Sequence, residues 1–299
     1  MKLAFLIAAH AHPGLLSRLI QRIQGPDSPV FVHIDAGQDI APFEISLHEC
    51  GIRDVRFVPR VHSQWGSFGQ VRASLSLLKL ALEHEPKADR FILISGQDYP
   101  LMKPGTMATF FAQSDGNDYL TCNPLPWGAW DGGGLDRLRR FHFALGRYSF
   151  SYPSEDVPPS LRVRAAYAAC GLLLPRERAL PTGVALYGGS NWWNLSRRSA
   201  LAIFDFLHGN SSFVRRFRFT KSADEIFFQT ALLNAAPAPT LVNDDLRYTL
   251  WDGARGELPA TLRVDDFGAI AASGKLFARK MHPEFSLGLM NRIDKELLS

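Results

Sequence analysis

The stretch Lys221–Thr230 combines adjacent acidic residues with an apolar run, and chemistry is most clearly indicated here. Ser222 followed three residues later by Glu225 has the spacing of a capping box, which predicts a helix beginning at Ser222. In that interpretation the Glu225 carboxylate bonds back to the Ser222 amide. A carboxylate that faces a cleft from the first turn of a helix could instead act as a general base. The spacing favours the cap and leaves the catalytic role open.

Polar residues also follow several predicted strands. Apolar runs of strand character precede His10, Asp35 and Asp98; they are Leu3–Ala9, Val30–Ile34 and Phe91–Ile94. Ligands of doubly wound sheets bind at the carboxyl ends of the strands, so these side chains are expected at one cleft. Asp35 and Asp98 are equally typical of turn aspartates, and both interpretations stay open.

The predicted elements give an α/β fold, a mixed sheet flanked by helices, in a single domain over residues 1–299. The composition shifts after Cys122, which divides this domain into residues 1–122 and residues 123–299. Residues 151–183 are rich in proline and arginine and are predicted to form an inserted loop or lid. The pair Gly188-Gly189 indicates a close approach of backbone or ligand.

Composition excludes several classes of protein. The 299 residues carry a formal net charge of +4 and 46% hydrophobic residues, which is ordinary for a globular chain and gives no indication of nucleic-acid binding. Neither GxGxxG nor GxxxxGK[ST] occurs. Three scattered cysteines favour a reducing compartment. With no apolar stretch of the ~20 residues that span a bilayer, we expect a cytoplasmic protein with at most peripheral contact with the inner face of the membrane.

Several separated segments, in this order, resemble one family. They are His10, His33-Ile34-Asp35, Trp65-Gly66, residues 95–101, Gly188-Gly189-Ser190, residues 224–229, Arg247-Tyr248 with Trp251, and residues 276–280. Each segment is weakly specific, but together they resemble the core-2/I-branching β-1,6-N-acetylglucosaminyltransferases and the related peptide O-xylosyltransferases. The resemblance covers nearly the whole chain. The chain departs from the animal enzymes in showing no membrane anchor, no Golgi stem and no disulfide set, which suggests a bacterial-type soluble member.

The resemblance implies a GT-A (Rossmann-like) fold and an inverting transfer from a UDP-sugar to a hydroxyl of a glycan or glycoconjugate acceptor, with no metal ion or other cofactor. It implies that residues 1–122 are a nucleotide-sugar-binding half and residues 123–299 an acceptor-binding and catalytic half. It also implies Glu225 as the catalytic base and Lys280 as the cation on the departing diphosphate. His10, Asp35 and Trp65 match donor-binding positions, and Arg263 is the nearest match to a second cation. Positions expected to bind the acceptor are Tyr248, Trp251 and Arg137.

Two other functions remain compatible with the sequence. A metal-dependent GT-A transferase or a sugar nucleotidyltransferase would use Asp35 and Asp98, although the strand end Ser95-Gly96-Gln97-Asp98 offers one carboxylate where metal-dependent enzymes carry an Asp-x-Asp pair. An inactive carbohydrate-binding relative would keep the fold without the chemistry. The presence of both Glu225 and Lys280 argues against it.

Overall fold

The computed structural model describes residues 1–114, 116–145, 148–154, 156, 160–235 and 240–299. Its strands are β1 (Leu3–Ala9), β2 (Val30–Ile34), β3 (Val55–Phe57), β4 (Arg90–Ser95), β5 (Tyr99–Pro100), β6 (Asp118–Leu120), β7 (Asn123–Pro124), β8 (Phe141–Leu145), β9 (Tyr148–Tyr152), β10 (Tyr187–Gly188), β11 (Trp193–Ser196), β12 (Leu241–Val242), β13 (Arg247–Thr249) and β14 (Phe277–Arg279). Its α-helices are α1 (Pro13–Ile23), α2 (Ala41–Glu49), α3 (Gly69–His84), α4 (Pro104–Ala112), α5 (Leu135–Arg139), α6 (Leu161–Leu173), α7 (Arg197–Gly209), α8 (Ser211–Phe217), α9 (Phe227–Asn234), α10 (Phe267–Ala272) and α11 (Leu287–Glu296).

The main sheet has seven strands in the order β12-β6-β11-β4-β1-β2-β3. The strands β4, β1, β2 and β3 are mutually parallel, whereas β11 runs antiparallel to both of its neighbours, β4 and β6. Mixed pairing of this kind, with helices on both faces, confirms the predicted α/β class. The sheet draws strands from both sides of residue 122.

Alternate residues of β1 enter two different cores. Phe5 and Ile7 pack on the face covered by α1, α2 and α4, while Ala4 and Leu6 pack on the face covered by α3, α7, α8 and α9. A strand buried on both faces needs an apolar residue at every position, which is why Leu3–Ala9 is a continuous apolar run.

A second, smaller sheet carries the strand that precedes Lys280. Strands β13, β14 and β5 form a three-stranded sheet that packs with α10 and α11 around Leu262 and Met281.

The prediction of a loop or lid over 151–183 is wrong for much of that stretch, since α6 packs Val163 against the hairpin β8–β9. Residues 155 and 157–159 of the stretch lie outside the described residues.

No helix in the described ranges is both long and apolar enough to cross a membrane.

Candidate active site

The loop that carries Glu225 differs from the predicted capping box. Ala223–Glu225 is a short 3-10 helix, and the α-helix begins only at Phe227. Ser222 has φ 48°, and its side chain makes no cap. Its amide, which a capping box would pair with the Glu225 carboxylate, donates instead to the Gly66 carbonyl with an N–O distance of 2.8 Å. The left-handed backbone of Ser222 therefore comes from a contact that is distant in sequence. The Glu225 carboxylate is consequently not used as a cap.

The carboxylate of Glu225 forms an ion pair with the Arg137 guanidinium. The Glu225 side chain is 37% exposed and that of Arg137 is 23% exposed. Arg137 lies on α5 and is itself held by Trp130, whose ring centre is 3.9 Å from the guanidinium carbon. A cation over an indole face is restrained in position, so Arg137 orients the carboxylate while solvent still reaches it.

Two backbone contacts fix the Glu225 loop. The Gly189 amide donates to the Glu225 carbonyl with an N–O distance of 2.8 Å, and the Gly66 carbonyl accepts from Ser222 as described above. A Cβ at Gly189 would lie 1.8 Å from the Thr121 carbonyl oxygen, so the predicted close backbone approach at this glycine pair is confirmed. Trp65, the neighbour of Gly66, is 76% exposed and belongs to the turn that supports the Glu225 loop.

His10, Asp35 and Lys280 come together at the carboxyl ends of β1 and β2. Desolvation lowers the pKa of His10; the Asp35 carboxylate opposes this effect, and the Lys280 and Arg279 cations reinforce it. The Asp35 carboxylate accepts from the Gly37 amide at 2.7 Å and from the Ser63 hydroxyl at 2.6 Å. Burial would raise the Asp35 pKa, but these hydrogen bonds outweigh it and lower the pKa. Asp35 therefore shapes the turn beside the other two side chains.

The third strand end is organised around the buried Asp98. Its carboxylate accepts from the Ser95 amide and hydroxyl, both at 3.0 Å, and pairs with Arg279 at 3.3 Å. The Arg279 guanidinium carbon also lies 4.3 Å from the ring centre of Trp192. Since Trp192 follows the Gly188-Gly189 segment that bonds the Glu225 loop, this stack connects the Glu225 and Lys280 sides of the site.

Lys280 follows β14, and its ammonium lies 2.8 Å from the Glu257 carboxylate. This cation lowers the pKa of Glu257. The backbones of Arg263 and Lys280 lie close together, because the amide of the preceding Leu262 donates to the Lys280 carbonyl with an N–O distance of 2.9 Å. The Arg263 guanidinium carbon lies 5.6 Å from the ring centre of Phe285, and this side chain makes no ion pair with the described residues.

The two aromatic residues predicted to bind the acceptor are placed differently. Trp251 is 70% exposed just beyond β13, so its ring is available to a sugar. Tyr248 is opposite Ala278 in the β13–β14 pairing and packs partly into the core formed with α10 and α11. Trp251 is thus the more accessible of the pair.

Asp224 is a buried acid that the sequence reasoning missed. Its Oδ1 atom has no hydrogen-bond partner among the described residues. Burial is the main cause, and the neighbouring Glu225 carboxylate the second, of a rise in the pKa of Asp224 from 3.8 to about 7. The adjacent pair Asp224-Glu225 was the available signal, because two neighbouring carboxylates repel each other and one of them then retains its proton.

We expect Asp224→Asn to flatten the pH dependence of stability. The folded chain holds the Asp224 proton more tightly than the unfolded chain, so the wild-type free energy of unfolding should fall by a few kcal/mol as pH rises from about 4 to about 7. The amide cannot lose a proton and removes that decline. Urea unfolding across this pH range measures it. Asp205→Asn, on the exposed surface of α7, is the control and should keep the wild-type slope.

These features define an α/β protein with a cation-rich candidate site at the strand ends and a partly exposed carboxylate–guanidinium pair beside it. The chain belongs to the Core-2/I-Branching enzyme family, whose family model matches residues 3–272.

Relatives with known names are similar over much of this chain. It is 25% identical to human xylosyltransferase 2 over 86% of this chain and 27% of that protein. It is also 25% identical to the beta-glucuronosyltransferase GlcAT14B of Arabidopsis thaliana, over 99% of this chain and 66% of that protein. The chain thus spans about a quarter of the xylosyltransferase. Among solved structures, the mannose-1-phosphate geranyltransferase of Thermus thermophilus aligns with 81% of this chain and 70% of its own at 11% identity and a TM-score of 0.32, too low to carry weight.

Proposed function

We propose that the chain is an inverting, metal-independent glycosyltransferase. It transfers a sugar, N-acetylglucosamine or xylose, from a UDP-sugar to a hydroxyl of a glycan or glycoconjugate acceptor. The observation that carries the proposal is the partly exposed Glu225 carboxylate, oriented by Arg137, in a chain of this family. Relatives named for xylosyl and glucuronosyl transfer support a sugar-transfer reaction and add UDP-glucuronic acid to the donors that require testing.

In this mechanism Glu225 takes the proton of the acceptor hydroxyl. Inversion is a single displacement at the anomeric carbon: the acceptor oxygen forms the new bond as the bond to the UDP oxygen breaks. The hydroxyl proton passes to the Glu225 carboxylate, a contribution of about 10²–10⁴-fold for general base catalysis. Arg137 holds the carboxylate in position, and the Trp65 turn and Gly189 hold the loop.

The departing UDP carries the electron pair of the broken bond, and Lys280 stabilises the charge that develops on its diphosphate. His10 and Asp35 share the electrostatic environment of Lys280, which supports a donor site at these strand ends. Trp65 and Arg263 are assigned to the same donor site, whereas Trp251, Tyr248 and Arg137 are assigned to the acceptor.

A metal-dependent transferase or nucleotidyltransferase is the second candidate, and the strand-end carboxylates argue against it. Both Asp98 oxygens are engaged, one by the Ser95 amide and the other by the Ser95 hydroxyl and Arg279. Both Asp35 oxygens accept hydrogen bonds from Gly37 or Ser63. The charge of the buried Asp98 is already compensated by Arg279, so a divalent cation at this strand end would have to displace that guanidinium.

We expect transfer to survive metal removal. With Lys280 as the cation at the diphosphate, excess EDTA should leave the rate within about twofold of the untreated rate, because no step then depends on a Lewis acid. The measurement is UDP release with and without EDTA, followed by addition of Mn²⁺. A steep loss that Mn²⁺ restores would assign the reaction to the metal-dependent candidate.

The function itself is tested by incubating the purified protein with UDP-N-acetylglucosamine, UDP-xylose and UDP-glucuronic acid. A donor that binds the folded state raises the melting temperature by mass action, and hydrolysis or transfer releases UDP. Binding without any UDP release, across acceptors as well as water, would identify an inactive carbohydrate-binding relative.

A further inference from the structure

A cleft of about 780 Å³ lies between the segment that begins α3, strand β8 and helix α8, next to the Trp65 turn. Its lining combines basic and aromatic side chains, including His62, Arg72, His142, Phe143, Arg218 and Phe219. A volume of this size accommodates a ligand of one or two sugar rings. Neither Glu225 nor Lys280 lines this cleft.

The cations of the cleft are unpaired, which sets them apart from other arginines of this chain. Arg72 and Arg218 are exposed and make no ion pair or side-chain hydrogen bond with the described residues. Arg139 and Arg255, by comparison, are each held by a carboxylate. Among the described lining residues there is no aspartate or glutamate. The cleft therefore carries a positive potential that no carboxylate of its own wall neutralises.

His142 adds an unsatisfied hydrogen-bonding group to the wall. The side chain is buried, with 7% of the residue exposed, and its Nδ1 lies 3.2 Å from the Ser151 hydroxyl. Its Nε2 has no partner in the described part of the chain. Burial lowers the pKa of His142 to about 4, and the Lys221 ammonium lowers it too, so the ring is neutral at neutral pH. Nε2 is itself buried, so His142 forms part of the wall, and the exposed guanidinium groups of Arg72 and Arg218 are the cations that a ligand can reach.

We propose that this cleft binds an oxyanion, a carboxylate or a phosphate, on the acceptor glycan. Arg72 and Arg218, which are exposed and make no ion pair with the described residues, supply charge-assisted hydrogen bonds to this oxyanion. The rings of Phe143 and Phe219 provide an apolar wall for the sugar that carries the anion. The ligand class is therefore an acidic sugar, either a uronic acid or a sugar phosphate.

The position of the cleft connects it to the Glu225 loop. A Cβ placed on Gly66 would lie 3.9 Å from His142 Nε2 and 3.8 Å from the Ser222 hydroxyl. The Gly66 carbonyl also accepts the hydrogen bond from the Ser222 amide that fixes the loop. Gly66 thus lies beside both the cleft wall and the loop that carries Glu225, and an acidic sugar bound in the cleft would lie near that loop. It would hold the acceptor at a sugar other than the reacting one.

The anion site stands on the geometry of the cleft, and its assignment to the acceptor rests on the proposed transferase function. The test is calorimetric titration of the full chain with inorganic phosphate, with D-glucuronate and with UDP, at an ionic strength held constant with NaCl. The double variant Arg72→Ala/Arg218→Ala removes two exposed cations and should fold. Arg215→Ala is the matched control, since it is exposed on α8 and does not line the cleft.

We expect saturable binding of phosphate or glucuronate that weakens roughly tenfold in the double variant and is unchanged in Arg215→Ala. Saturation by glucuronate alone identifies a uronic acid, and saturation by phosphate alone identifies a sugar phosphate. Absence of saturation by both, or equal losses in the double variant and the control, overturns the proposal. Loss of UDP binding in the double variant also overturns it, because the cleft would then belong to the donor. Anion binding by a protein that releases no UDP from any donor would keep the site and remove only its assignment to an acceptor.

Discussion

Glu225→Gln should reduce transfer by at least about 10²-fold while donor affinity and stability stay close to wild type. The amide has the size of the carboxylate but cannot take the acceptor proton. Its partner Arg137 keeps its stacking on Trp130 and remains partly solvated, so the cost of losing the ion pair to stability is small. The measurement pairs kcat for transfer with calorimetric binding of the UDP-sugar and a thermal unfolding curve.

The matched control is Glu177→Gln. Glu177 pairs with Arg139, which lies two residues from Arg137 on the same helix. The Glu177→Gln substitution should leave transfer unchanged. A Glu225→Gln protein that retains more than about a tenth of the wild-type kcat excludes Glu225 as the base. A variant that unfolds shows instead that the Arg137 ion pair is mainly structural.

Lys280→Ala should lower kcat/KM for the UDP-sugar by roughly 30- to 1000-fold, which corresponds to about 2–4 kcal/mol. The ammonium contributes more as the sugar–phosphate bond breaks and charge accumulates on the diphosphate, so the loss should exceed the loss in affinity for the intact donor. Lys280→Arg should restore activity only partly, because a planar guanidinium does not place its charge where the ammonium stood. Steady-state kinetics and donor titration on the same variants give both quantities.

Lys275→Ala is the control for this charge. Lys275 is a comparably exposed lysine paired with Asp244, and it immediately precedes the segment that leads into β14. Arg279, although adjacent to Lys280, is unsuitable because its removal would leave the buried Asp98 without its cation. Small and equal effects of Lys280→Ala and Lys275→Ala would mean that Lys280 acts only through the general field.

Sequence patterns predict best the elements that bury nearly all of their side chains. β1 and β2 match the predicted strands residue for residue because nearly all of their side chains are both apolar and buried. Helix α6 gives no such signal, since Leu161, Leu172 and Leu173 are exposed and only Val163 is fully buried among its residues. Helix α2 buries just Phe43 and Leu47, one turn apart, which is too short a pattern to predict a helix.

The candidate site was predictable in its residue types and less so in its contacts. Strand topology brings His10 and Asp35 to one edge, as the βαβ pattern predicts. The capping-box interpretation failed because the backbone of Ser222 is set by Gly66, which spacing along the chain does not reveal. The pairing of Glu225 with Arg137 likewise joins two segments whose proximity depends on tertiary packing.

The place of β11 in the main sheet has a consequence for how the chain is made. β11 lies between β4 and β6 and separates two strands that both precede it by many residues. During synthesis, one edge of β4 therefore has no native partner until residues 193–196 have left the ribosome. An unpaired edge on a buried apolar strand is prone to wrong pairing with other chains. We therefore expect a polypeptide released before β11 to aggregate, so that the first half of the chain is not a unit that folds by itself.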